Sequence, residues 1–493
     1  MKKAGSASFV LTLKLNTGSR DGKILQKRFF AAFLMYNSLV RHARSRLAGL
    51  RQDVEYRQAM AEYLAISGNT PEDKKHREAV SVIMRDIRMA HGLSEYQFHA
   101  WIVLQQHQYR KDIDSMTAQK IATKVWQAVE AVLFRKGKTI HFRKLEQFYS
   151  LEGKNNSSGI RFSRGRMEWI SLSIQPQIRK GDSYAREALK HRVKYCRIVR
   201  KAMGETWHYY LQLILEGIPP KKHDILPGGR VGIDPGVSTE AVVSEKGCIL
   251  TELAAERPDI QKKASRLSRM LDRSRRATNP WNYHADGTIK PACSRKRWIS
   301  SKRYRKTAFR LKALRRRNAD TVKQAEERLA NTVLGLHGSD IITEKMSYKG
   351  LQAKAKSASV NEKTGRFRSR KRFGASLAGH APARFLTILN RKLTYIGKSI
   401  HYVNTWKYRA SQYDHISDTY TKSALSDRWK MIGGQKVQRD LYSAFLLMNA
   451  KDPETPNREH CDKTFNQFLR QHDACIKTIE SSNVHKPSSF GVA

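Results

Sequence analysis

In SFVLTLKLN (8–16), Phe9, Leu11, Leu13 and Leu15 alternate with other side chains, the two-residue period of a strand with one buried face. From about Lys23 to Phe134 the apolar spacing becomes helical. ILQKRFFAAFLMYNSLVRHARSRL, REAVSVIMRDIRMAHGL and MTAQKIATKVWQAVEAVLF each predict a helix, divided by polar breaks such as SGNTPEDKK. After Gly137 short strand-like pieces return: KTIHFRK, SSGIRFSRGRMEWISLSI, VKYCRIVRK and TWHYYLQLILEG. The first strand and this later set predict one small β-barrel with the helical block inserted between them. GIPPKKHDILPGG then reads as a linker.

A second pattern begins at Val231. An apolar strand carrying one acid, Asp234, meets a Pro-Gly turn, a second apolar strand and then CILTEL. A long basic helical segment follows, with Leu311, Leu314, Val322, Ala325, Leu329 and Val333 at helical spacing. Next come the strand SDIITEKMS, the Gly-, Ser- and Arg-rich loop KSASVNEKTGRFRSRKRFG, the helix ARFLTILNRKLTYIGK, the strand SIHYVNTWKY and the helix QRDLYSAFLLMNA. No internal repeat stands out, and residues 451–493 read as a polar tail.

Charge changes the picture most. Lys and Arg number 93 against 44 acids, a net charge of +49, and the basic residues are interleaved with Trp, Tyr and Leu rather than gathered in tails. Phosphate is the partner such a surface attracts. Between Lys262 and Arg317 twenty Lys and Arg face two acids, Asp272 and Asp286, so self-repulsion argues for a phosphate backbone alongside rather than a solvated face. The five cysteines are scattered with no C-x-x-C, which speaks against a zinc ribbon or disulfide framework and for a reducing compartment. The start of the chain has no apolar run of signal-peptide length, and no window approaches a membrane span. An intracellular protein without membrane partners is expected.

Three acids stand at comparable places: Asp234 within a strand, Glu344 at a strand end and Asp440 at the start of a helix. Singly each has an ordinary explanation, as a turn cap, a strand-end ion pair or a helix N-terminal charge. Gathered on one β-domain they would hold Mg²⁺, a hard ion that prefers carboxylate oxygens, and offset the cost of burying Asp234. Two such ions activate water and stabilise the leaving oxygen in phosphodiester cleavage, with Mn²⁺ as an alternative metal.

GIDPGVSTEAV, IITEKMSYKGL and QRDLYSAFL resemble the three motifs of the split RuvC nuclease domain of the TnpB transposon-encoded RNA-guided nucleases and the type V-F miniature CRISPR effectors. FLMYNSLVRHARSRL (33–47), the passage from MTAQKIATKVWQ to IRFSRGRMEWISLSI, and YRASQYDHISDTYTKSALSDRW extend the likeness over roughly residues 8–450. The resemblance implies an α+β multidomain fold. A small OB-like wedge β-barrel (1–22 and 136–225) would hold an inserted helical recognition domain (23–135). A RuvC-like, RNase H-like nuclease domain (226–410) with a basic helical insert (256–335) would follow. Then would come a target-nucleic-acid-binding insert (411–436), a last RuvC helix (437–450) and a tail (451–493).

It further implies an RNA-guided DNA endonuclease with guide RNA and target DNA as partners. One two-metal site of Asp234, Glu344 and Asp440 would cut both strands in a prokaryotic cytoplasm. Arg428 matches a basic position near that site; a plain surface ion pair is the other reading. Arg295, Lys296, Arg297, Lys302, Arg303, Arg305, Lys306, Arg310, Lys312, Arg315, Arg316, Arg317, Arg368 and Arg370 would contact nucleic acid. The loop 362–373 would act as a lid. The CRISPR branch implies two copies on one guide, the transposon branch a single copy. The chain departs from the family where a four-cysteine zinc ribbon usually stands: Tyr413, Asp414, His415 and Asp418 follow Ser411-Gln412, so no structural zinc is expected. His460, Cys461, His472 and Cys475 are no substitute, because Cys461 and His472 on one helix would lie ~16 Å apart.

Rival readings remain. The first motif also resembles the phosphate loop of actin-like kinases and ATPases, but the other Gly-rich loops of that class are missing. A nuclease-inactive RNA-guided repressor would be expected to lose an acid, and a purely structural RNA-binding protein would need none at strand ends.

Overall fold

A computed structural model describes residues 7–134, 137–291, 298–355, 357, 359–362, 365, 373–424, 426–483 and 485–492. The chain divides into two compact units, Met1–Pro220 and Lys221–Ala493, each of mixed α and β structure with small sheets.

In the first unit β1 (Ser8–Leu15) precedes α1 (Ser19–Gln52), α2 (Val54–Ala65), α3 (Pro71–Ala90), α4 (Glu95–Gln108) and α5 (Ser115–Leu133). Then come β2 (Ser150–Glu152), β3 (Arg161–Ser163), β4 (Arg166–Trp169), β5 (Leu172–Ile174), β6 (Pro176–Gln177), α6 (Ser183–Ala188), β7 (Val193–Met203) and β8 (Thr206–Glu216). The alternation of β1 is kept: Phe9, Leu11, Leu13 and Leu15 are buried while Val10 is 49% exposed. β1 pairs with both β8 and β6, so the first strand does join the later set. The strand pairing is that of a five-stranded antiparallel sheet, β2-β7-β8-β1-β6, with β2 and β6 as its edges, beside a separate three-stranded sheet β3-β4-β5.

α1 buries Leu25, Phe29, Ala32, Met35, Leu39, Ala43, Leu47 and Leu50, one stripe at helical spacing. Each large side chain on it contributes about 2 kcal/mol of burial. Arg28 lies in the same stripe. Its guanidinium donates to the Trp169 carbonyl (2.8 Å) and stacks 4.5 Å from that indole, which offsets the cost of taking the charge out of water. α3 starts at a capping box, Thr70 with Asp73, and Pro71 follows the cap. α2 and α4 carry no clear sequence signal because α4 buries only Phe98 and Ile102 and leaves Tyr96, Val103 and Leu104 exposed. KTIHFRK is not a strand; it runs irregularly into a short turn at Leu145–Gln147.

In the second unit β9 (Arg230–Pro235), β10 (Thr239–Ser244) and β11 (Gly247–Glu252) form an antiparallel meander. α7 (Gln261–Thr278) and α8 (Lys302–Thr332) follow, then β12 (Asp340–Glu344), α9 (Tyr348–Leu351), α10 (Gly374–His380), α11 (Pro382–Thr394), β13 (His401–Val403) and α12 (Thr405–Tyr408). β12 and β13 extend the sheet in parallel from β9, giving the order β11-β10-β9-β12-β13. Two hairpins, β14 (Tyr413–Asp414) with β15 (Thr419–Tyr420) and β16 (Trp429–Ile432) with β17 (Gln435–Gln438), lead to α13 (Arg439–Met448) and α14 (Arg458–Ser481).

The sheet is covered on both faces. Val231, Ile233, Val242 and Ile341 pack with Ala330 of α8, Val333 and Leu334 just beyond it, and Phe385, Leu389 and Leu393 of α11. Ala241, Val243 and Ile342 pack with α13 and, through it, Phe465 and Phe468 of α14. Leu441 to Met448 are all buried because α13 is enclosed between sheet and α14. The expected polar tail is therefore wrong as structure. Cys461, Phe465, Phe468, His472 and Ile476 recur every three to four residues and form the inner stripe of α14. SIHYVNTWKY yields only the three-residue β13 before α12, since Asn404 caps a helix by accepting the Trp406 N–H.

Candidate active site

Gly232 decides how closely α13 approaches the sheet. A Cβ there would fall 1.9 Å from the Ala444 carbonyl oxygen and 2.4 Å from the Met448 nitrogen, so only a glycine strand lets the helix backbone lie against it. Asp234, two residues on, points to the same face, and Asp440 lies in the first turn of that helix. β12 runs parallel to β9 and their ladder ends at Thr343–Ile233, which makes Asp234 and Glu344 the next residues on neighbouring strands. Thr343 locks this register through its hydroxyl, which donates to the Ile233 carbonyl at 2.7 Å.

The electrostatics follow from that convergence. Burial, then the carboxylates of Asp440 and Glu344, push the Asp234 carboxyl well above its usual range, with Arg439 acting in the opposite sense. Burial also raises Glu344, partly offset by a hydrogen bond from the Ala410 backbone. Asp440 is turned toward cations: Arg428 Nη1 lies 3.9 Å from Oδ2 and Arg439 Nε 3.4 Å from Oδ1. Asp440 thus has its own counter-charges, whereas Asp234 sits among acids.

A buried carboxyl whose proton affinity is raised by two neighbouring carboxylates belongs to a donor set that a hard divalent cation neutralises, and carboxylate oxygens suit Mg²⁺. Their present arrangement is open, however. Among the described residues no three His, Cys, Asp or Glu side chains stand close enough to hold a metal ion as they are.

Arg428 is brought to Asp440 as a partly exposed ion pair. Lys302, Arg303, Arg305, Lys306, Arg310, Arg315 and Arg317 are exposed along α8, while Lys312 and Arg316 are half-buried and Arg316 pairs with Asp320. The opposite face of α8 buries Thr307, Leu311, Val322, Ala325 and Ala330. Asp272 is bonded to Arg275 and Arg276 of its own helix α7, and Asp286 accepts the Thr288 N–H, so neither acid neutralises α8. Arg295, Lys296, Arg297, Arg368 and Arg370, and most of the expected lid 362–373, lie outside the described residues.

Several residues at the site escape sequence reading. Glu240 on β10 is fully buried beneath it with neither carboxyl oxygen hydrogen-bonded; burial, then Asp234 and Glu326, raise its pKa far above normal. The Tyr348 hydroxyl is likewise buried without a partner. A glutamate inside the apolar run STEAVVS was the available signal for the first. Gln438 caps α13 by accepting the Leu441 N–H at 2.7 Å, a role that a polar residue just before RDLYSAFLLM could have signalled.

No family model and no curated protein sequence matches the chain. Among solved structures it is similar to a Cas12f1-sgRNA-target DNA complex, at 10% identity over 90% of this chain and 99% of that one, with a TM-score of 0.43. It is also similar to a CRISPR-Cas12f ternary complex (14% identity, 88% and 86% covered, TM-score 0.23). A third is a Cas12i(E894A)-crRNA-dsDNA complex (9% identity, 92% and 63% covered, TM-score 0.24). No helix among the described residues is long and apolar enough to cross a membrane.

Proposed function

We propose that the chain is an RNA-guided DNA endonuclease whose second unit is an RNase H-like RuvC nuclease domain. One observation carries this reading: Glu344 at the end of β12 and Asp440 in the first turn of α13, each distant in sequence from Asp234, lie near enough to raise the proton affinity of that buried carboxyl. The three RuvC-like sequence motifs fall on these same residues. Asp234, Glu344 and Asp440 would hold the metal, and bound Mg²⁺ would supply water activation and charge neutralisation at the leaving oxygen. The chain's own groups do the rest. The Ala410 N–H orients Glu344, Arg428 and Arg439 draw the scissile phosphate toward Asp440, and the exposed basic face of α8 holds the guide–target backbone.

The guide RNA and target DNA are the partners of this reading, with a CRISPR type V-F effector preferred over a transposon-encoded TnpB nuclease, and two copies on one guide in the preferred case. The alternative reading is a nuclease-inactive RNA-guided DNA binder. Purified protein with its copurifying RNA, matched DNA and Mg²⁺ tests both, beside Asp234→Ala. Cleavage by the native chain alone supports the nuclease; binding without cleavage by both chains supports the binder.

A further inference from the structure

The helix that the sequence presents as a tail touches the carboxylate site through one side chain. His472 of α14 is buried, and its Nε2 accepts the backbone N–H of Gln438 at 2.9 Å. Its Nδ1 lies 2.8 Å from Asp473 Oδ1, so the proton belongs on Nδ1 and the lone pair on Nε2. Burial keeps the ring neutral, lowering its pKa against the pull of Asp473. Gln438 is itself fully buried and is the cap of α13, two residues before Asp440; its side-chain nitrogen lies 3.4 Å from Asp440 Oδ2 and 3.5 Å from the Ser489 carbonyl.

The same segment holds the other arm of the site. Trp429 packs edge-on against the His472 ring, 6.0 Å between centroids, and its indole N–H donates to the Gly491 carbonyl at 2.8 Å. Gly491 has a φ of +69°, and a Cβ on it would meet Arg428 Cβ at 2.5 Å, so its backbone packs closely beside the arginine that faces Asp440.

We propose that His472 is a positioning residue for Asp440: by accepting the Gln438 N–H it fixes the start of α13 and the direction of the carboxylate. This rests on the nuclease reading for its consequence, though not for its geometry. The N–H has no other partner of its own when the acceptor is removed, and a buried orphan donor is costly enough to shift the backbone that carries it.

Two variants separate positioning from packing. His472→Phe keeps a ring against Trp429 and Phe468 but removes the acceptor; His472→Gln restores an acceptor near the Nε2 position. In the metal-free protein, His472→Phe is expected to speed hydrogen exchange at Gln438–Leu441 by about tenfold while exchange elsewhere in the second unit is unchanged. Mn²⁺ alone should bind it more weakly, and cleavage of guide-matched DNA should slow ~10–100-fold with target affinity unaltered, the range for losing a group that orients a metal ligand. His472→Gln is expected to recover most of each loss. Unchanged exchange, faster exchange without slower cleavage in an active protein, or equal losses in both variants overturn the proposal and leave the nuclease reading standing. If the native chain does not cut, that reading falls, and the exchange and Mn²⁺ results alone then support or overturn the positioning role.

Discussion

Gly232 and Ala444 approach so closely that any side chain on the first would run into the backbone carbonyl of the second, 1.9 Å from a Cβ. Because the obstacle is backbone at the centre of a buried helix, it cannot swing aside. Gly232→Ala is expected to cost ~3 kcal/mol or more of stability in the second unit, the upper range for overpacking. Urea unfolding with fluorescence detection checks this, and a loss under about 1 kcal/mol would mean that α13 is free to shift.

Glu240 makes the second unit less stable as pH rises. Its folded pKa lies well above the ordinary 4.5, so the folded state holds the proton that the unfolded chain releases. Its contribution is fully present below the unfolded pKa and is lost as pH climbs toward the folded one, by up to about 1.4 kcal/mol per pH unit. Glu240→Gln keeps the shape without the titration. It should melt higher than the native chain at pH 7 and converge with it near pH 4, with a remaining slope from Asp234 and Glu344. Parallel melting curves across that range would contradict the assignment.

The basic face of α8 should act through phosphate. Replacing Arg303, Arg305, Arg315 and Arg317 together with alanine is expected to weaken binding of an RNA–DNA duplex at all sequences alike. The slope of log Kd against log salt should fall by about 3, since each phosphate that an arginine neutralises adds roughly 0.7–0.9 to it. Fluorescence anisotropy across a salt series reads both the affinity and the slope. A slope that does not change would place the nucleic acid elsewhere.

Tyr442 of α13 and His415 form a buried pair. The Tyr442 hydroxyl lies 2.7 Å from His415 Nδ1 and accepts the His415 backbone N–H at 3.1 Å, with Phe445 and Phe465 edge-on to the imidazole. Tyr442→Phe should cost about 1–3 kcal/mol, since it leaves a buried N–H unpaired without opening a cavity. Denaturant unfolding checks it; a neutral substitution would show that the hairpin at Tyr413–Tyr420 is held by packing alone.

The sequence by itself determined the periodic elements and made three acids candidates for one site. Strong two-residue and helical patterns in β1, α1, α8 and α13 are local, because a one-sided stripe must be buried whatever it packs against. The acids were legible as candidates only together: each alone has an ordinary use, and it was their order and their strand or helix context that singled them out. Tertiary structure alone decided which elements lie side by side. α14 has a local stripe at helical spacing, but it is thin among charged residues, and only packing against α13 makes it a core helix. Nor does local pattern place His472 beside Gln438, Arg428 beside Asp440 or Glu240 beneath Asp234, contacts that no short window of sequence contains. The same folding set Asp440 between two arginines and the buried Asp234. Repulsion among carboxylates depends on distances that only the folded backbone sets.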